Sequence, residues 1–149
     1  MTLRDRLTED MKQAMRDKEA GKLRLSVIRM VRSAAKYLEI DRKKELDEAE
    51  LIDVVAKEVK MRNDSLEEFR KADRPDALAT LEKEIAILME YLPEQMSEAE
   101  VRELVKQAVV EAQAASPKEM GKVMAILMPK VKGRADGKLV NSLVKEMLV

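Results

Sequence analysis

The amino-acid sequence predicts an all-α protein in two parts: an N-terminal helical hairpin or bundle of about four helices over residues 1–93, and a small three-helix domain over 97–149 with a helix-turn-helix-like basic end. Three observations point there. Of 149 residues, 46% are apolar and 39% charged, with only four Gly, four Pro and 2% aromatic residues, a balance that favours amphipathic helices over sheets. Apolar residues recur at helical spacing, and no segment alternates as a strand would. Helix-start signals, in which Thr2, Asp47, Ser97 and Ser116 each precede an acid by three residues, stand before the periodic runs. Phe69, Tyr37 and Tyr91 are the only aromatic residues, so the core is expected to consist of Leu, Val, Ile, Ala and the eleven Met, a flexible filler. A Met-lined binding groove is the other use for so many methionines.

The first helix starts at Thr2 and repeats Leu3, Leu7, Met11 and Met15 before Gly21 breaks the run. The second, from Lys22 to about Ile40, places Leu23, Val27, Met30, Val31, Ala34 and Leu38 on one face. Lys22, Arg29, Arg32 and Lys36 fall opposite, as a solvated face or a phosphate-contacting one. Asp41 to Leu46 is a charged connector. The third helix starts at Asp47 and carries Leu51, Val54, Val55, Val59, Met61, Leu66 and Phe69. It should end near Ala72 to Arg74, because Pro75 disfavours helical geometry before it and suits the first turn of the next helix. The fourth carries Leu78, Leu81, Ile85, Leu88 and Leu92, and Tyr91-Leu-Pro-Glu-Gln-Met-Ser97 then interrupts the periodicity at the expected domain boundary. Ser97 and Glu100 form a capping box for the fifth helix, with Val101, Leu104, Val105, Ala108 and Val109. Each part is small, so the two should pack together or the chain should dimerise.

The last thirty residues hold two apolar stripes around a basic turn. Ser116, Pro117 and Glu119 predict a capped helix from Pro117 carrying Met120, Val123, Met124 and Leu127, ended by Gly133. Asp136 can accept from the free amides of a last helix, with stripe Leu139, Val140, Leu143, Val144 and Met147, so the chain should fold back within a few residues. Lys130, Lys132, Arg134 and Lys138 crowd this turn, and from Pro117 onward seven basic residues face three acidic ones, a net +4.

The absence of any Cys or His removes disulfides, thiol nucleophiles, thiolate or imidazole metal sites and the usual general base near neutral pH. Acid pairs such as Glu67 and Glu68 sit among Lys and Arg on helical faces, so no catalytic residue, metal site or cofactor is expected. The first ten residues hold three acids and no apolar run, unlike a signal or transit peptide, and no stretch of about 18 apolar residues exists to span a membrane. A cytoplasmic protein is therefore expected. A basic turn without nearby aromatic residues can meet phosphates but cannot stack bases, so any RNA would be recognised by backbone shape.

Six segments carry a resemblance to a known family: Asp10-Met-Lys-Gln-Ala-Met15, Leu25-Ser-Val-Ile-Arg-Met-Val31, Arg62-Asn-Asp-Ser65, Tyr91-Leu-Pro93, Met120-Gly-Lys-Val-Met124 and Lys132-Gly-Arg-Ala-Asp-Gly137. They resemble the GatB/YqeY family of small helical proteins, specifically its stand-alone YqeY-like members. The resemblance implies that the C-terminal domain is similar to the tail of the GatB subunit of the tRNA-dependent amidotransferase, a tail that some glutaminyl-tRNA synthetases also carry. That tail is a tRNA-binding appendage, while catalysis resides in a cradle domain and a separate amidase subunit. It further implies tRNA contacts at Lys122, Lys130, Lys132, Arg134, Lys138 and Asn141, and structural roles for Gly121, Gly133, Ala135 and Asp136. The expected function is thus a non-catalytic tRNA-binding accessory protein in amidotransferase or aminoacyl-tRNA pathways. The alternatives are an interaction module that docks on an amidotransferase or synthetase, and an auxiliary subunit of a carbon-nitrogen ligase using glutamine as amido donor.

Overall fold

The computed structural model describes residues 1–149, and its secondary structure is seven α-helices and two short 3-10 turns, with no strand. The fold is all-α. The chain divides into two compact units, Met1–Leu92 and Pro93–Val149.

The first unit holds α1 (Leu3–Arg16), α2 (Lys22–Arg42), α3 (Glu48–Lys71) and α4 (Pro75–Met89). Thr2 caps α1, its hydroxyl accepting from the Asp5 N–H at 3.1 Å while the Asp5 carboxylate accepts from the Thr2 N–H at 3.4 Å. Asp47 and Glu50 form the same reciprocal cap on α3, at 2.8 and 3.4 Å. Both boxes satisfy amides that have no partner within the helix. α2 runs two residues into the expected connector and stops where Lys43 turns left-handed, at φ 56°. Between α1 and α2 a 3-10 turn, Lys18–Gly21, brings Gly21 so close to α1 that a Cβ there would lie 2.2 Å from the Ala14 carbonyl oxygen.

The core of this unit is Leu3, Leu7, Val27, Ile28, Val31, Ala35, Leu46, Leu51, Val54, Val55, Leu88 and Tyr91. Its composition corrects an expectation: no methionine is fully buried anywhere in the chain, and Met15, Met30 and Met61 are exposed. Branched residues with few rotamers fill the centre, and the flexible thioethers lie at its margins. Ala14, rather than Met15, continues the buried stripe of α1, because repeated four-residue steps drift off a face of period 3.6. On α4 only Leu88 is buried, while Leu78, Leu81 and Ile85 are half-covered.

Two polar features tie the helices together. Arg62, 5% exposed, donates to Glu84 on α4 at 3.0 Å and to the Glu58 carboxylate at 3.3 Å, and reaches Met30 Sδ on α2 at 3.3 Å. The Tyr91 hydroxyl donates to Asp10 of α1 at 2.6 Å and accepts from Arg24 of α2 at 3.2 Å, and Arg24 pairs with Glu90 at 2.6 Å.

The second unit holds α5 (Glu98–Ala112), α6 (Met120–Val131) and α7 (Gly137–Met147) around Val101, Val105, Ala108, Val123, Leu127, Val131, Val140, Leu143, Val144 and Leu148. α6 and α7 each pack mainly on α5 and only lightly on one another, and a turn of five residues, 132–136, joins them. Ser97 caps α5 from one side, accepting from the Glu100 N–H at 3.2 Å without a full capping box. The expected helix start at Pro117 is also corrected. Residues Pro117–Glu119 form a 3-10 turn, the Ser116 side chain makes no cap bond, and α6 begins at Met120. The Glu119 amide that Ser116 would cap is already bonded to the Ser116 carbonyl at 3.0 Å, and the Glu119 carboxylate accepts from the Ala115 N–H instead.

Candidate nucleic-acid interface

The α6–α7 turn is built from backbone bonds before any charge is considered. Lys132 leaves α6 with ψ 123°, and Gly133 takes φ 74°, a left-handed geometry that costs a glycine little. The amides of Arg134 and Ala135 both return to the Val131 carbonyl, at 2.9 and 3.0 Å, which satisfies an orphan acceptor at the helix end. Asp136 then caps α7, accepting from the Lys138 N–H at 3.1 Å.

A second segment, residues 93–96, straps this turn. The Met96 amide donates to the Arg134 carbonyl at 2.8 Å, and the Gln95 side-chain amide donates to the Gly133 carbonyl at 2.8 Å. In return Arg134 Nε donates to the Glu94 carbonyl at 3.1 Å. The strap could not be read from charge or periodicity, since all three of its bonds accept on backbone carbonyls and join residues 38 or 40 positions apart in the sequence.

Each expected site residue has a definite place. Lys132, Gly133, Arg134, Ala135 and Asp136 form the turn, Lys138 lies in the first turn of α7, and Asn141 follows on the same exposed face. Arg134 is half-buried, and its guanidinium edge on Glu94 makes it a structural element of the turn as well as a charge. Lys130 is exposed, with Glu111 on α5 3.9 Å from its Nζ, so a distant acid tempers its charge. Lys122 lies ten residues before Lys132, about 15 Å along the axis of α6, and is not part of the cluster. Ala135 packs against the core of the unit, in keeping with a structural role. Gly121 does not fit that role: it is exposed, and a Cβ there would meet nothing within 4 Å. What the turn presents is a rigid backbone loop with lysines on both sides, suited to meeting phosphates as point charges.

Fold and turn together define a small all-helical protein of two units whose second unit carries a strapped basic turn between its last two helices. The Yqey-like protein family matches residues 4–148, and the chain belongs to that family. Its relatives include the "Altered inheritance of mitochondria protein 41, mitochondrial" of Pyrenophora tritici-repentis, 32% identical over 146 residues, which span 96% of this chain and 79% of the relative. The protein of the same name from Lachancea thermotolerans is 39% identical over 74% of this chain and 60% of its own length. That from Kluyveromyces lactis is 45% identical over 57% of this chain, which spans less than half of it, 45%. These names overturn the expected cytoplasmic location, since every one of these relatives is named as a mitochondrial protein. The acidic residues that suggested the cytoplasm belong to the first helix of the fold, with Asp5 a capping residue of α1.

Proposed function

We propose that the chain is a non-catalytic accessory protein that binds tRNA through the strapped turn, with Lys132 and Lys138 as the principal phosphate contacts and Lys130 and Asn141 beside them. The observation that carries this reading is the turn itself: a backbone fixed by hydrogen bonds from two segments, with exposed lysines at both ends and one acid, Asp136, turned to capping. A net +4 from Pro117 onward, in a chain of zero net charge, focuses the field on this end. The resemblance to amidotransferase tails supplies the partner class, tRNA in amidotransferase or synthetase pathways. The test is binding of tRNA by the full chain and by a K132E/K138E variant. Loss of about tenfold or more in the variant is expected for two phosphate contacts, and unchanged affinity would remove the reading.

One observation favours a second reading, docking on an amidotransferase or synthetase. Tyr37, Ile40 and Met61 are 74%, 67% and 51% exposed on α2 and α3, and Tyr37 and Met61 border a groove of about 440 Å³. Co-purification with such an enzyme that survives ribonuclease and fails in a Tyr37→Glu variant would establish this role in place of the first.

A further inference from the structure

Residues 20–38 contain five basic residues, Lys22, Arg24, Arg29, Arg32 and Lys36, and no acid. Arg24 is accounted for by Glu90 and Tyr91. The other four share the exposed side of α2, where seven-residue and three- to four-residue spacings align them. Three of them do more than cover a convex face. Arg29, Arg32 and Lys36 join Arg4 of α1 around a cleft of about 540 Å³ between α1 and α2. The buried Leu7, Ala35 and Leu51 form its apolar base, and Thr8 and Ser33 also line it, the Thr8 hydroxyl donating to the Arg4 carbonyl at 3.0 Å.

The charge in this cleft is not balanced from within. Its one acid, Glu39, accepts the Leu46 N–H at 2.9 Å and Arg4 Nη2 at 2.8 Å. These bonds hold the Glu39 carboxyl below the usual carboxylate range, the Leu46 amide contributing most. None of Arg29, Arg32 and Lys36 has a carboxylate within ion-pair distance, and Arg32 reaches only the Thr8 hydroxyl, at 3.3 Å. Four cations and one acid leave the lining at +3, and a concave wall of low polarizability concentrates that potential.

We propose that the α1–α2 cleft binds a small phosphorylated molecule, its phosphate held by Arg29, Arg32 and Lys36 with the Ser33 hydroxyl, and the rest of it resting on Leu7, Ala35 and Leu51. A guanidinium offers paired donors to phosphate oxygens, and lysine adds a mobile point charge. The cleft has the size of a small-molecule site, whereas nucleic-acid tracks are long and open. This site lies in the first unit and stands whether or not the C-terminal turn binds tRNA.

The experiment is a titration of the full-length protein with inorganic pyrophosphate, followed by amide chemical shifts, with tRNA as a second titrant and an R29Q/K36Q variant alongside. Neither substituted side chain holds another part of the protein, so the variant should melt no lower than the parent. Expected are saturable shifts confined to residues around Thr8, Arg29, Ser33 and Lys36, with affinity at least about tenfold weaker in the variant. Shifts that do not saturate, that spread over every basic surface, or that persist in the variant would overturn the proposal. Shifts at these residues with tRNA but not with pyrophosphate would overturn it too, and would assign the cleft to nucleic acid.

Discussion

At Gly133 the chain needs φ 74° to leave α6 and meet the strap, and a Cβ in that geometry meets the following carbonyl. Gly133→Ala should cost about 1 kcal/mol, read as a lower midpoint in denaturant unfolding, and should weaken whatever the turn binds. Gly21→Ala should cost more, about 2 to 3 kcal/mol, because its Cβ would meet backbone, which cannot rotate away. Asp136→Ala should lose the α7 cap, about 1 kcal/mol, whereas Asp136→Asn should keep it. Tyr91 makes a pH-dependent prediction. Burial, helped by the bond it donates to Asp10, pushes its hydroxyl up to about 12. A group whose folded value is raised contributes stability that is intact below its unfolded value, about 10, and is lost as pH climbs toward the folded one. The protein should thus destabilise between these values, and a Tyr91→Phe variant should show a flatter profile there. Asp136 as a cap was legible from the sequence because its role is local. The Arg134 bond to Glu94 was not, since nothing in forty residues of intervening chain signals it.

At the scale of helices, period and caps located all seven, and the misses are local ones. Ser116 and the methionine core were judged by residue type, while neighbours decided them: the Glu119 amide already had an acceptor, and branched residues fill the centre; Met15 was instead lost to the drift of a four-residue step off the 3.6 period. Glu58 and Arg62 are the sharper case, because a polar pair one turn apart on α3 reads as surface unless the helix facing it, with Glu84, is known. Replacing Arg62 by Met leaves Glu58 and Glu84 buried or half-buried without their shared cation, and should cost about 3 to 5 kcal/mol in denaturant unfolding. Replacing Glu58, Arg62 and Glu84 together by apolar residues of similar volume should recover most of that loss. If the single and triple variants were equally unstable, the network would matter for its shape rather than its charge.

For the whole molecule, zero net charge conceals a strong unevenness: a basic end from Pro117 onward, and a basic cleft on α1 and α2 in a chain whose acids cluster elsewhere. The family and the all-helical fold were legible from end to end in composition and motif. The location was not, because an address read from the first ten residues is no stronger than those residues' claim to be an address, and Thr2 and Asp5 belong to a helix cap. The most direct test of tRNA binding through the strapped turn is equilibrium binding of the full chain to tRNA and to duplex DNA of equal length across a salt series, beside a K130E/K132E/K138E variant that leaves Arg134 and its strap intact. A preference for tRNA, a log-log salt slope of about −3 to −4 for roughly four phosphate contacts, and loss of both in the variant are the predicted result. Equal, weak binding of both nucleic acids by both proteins would contradict it.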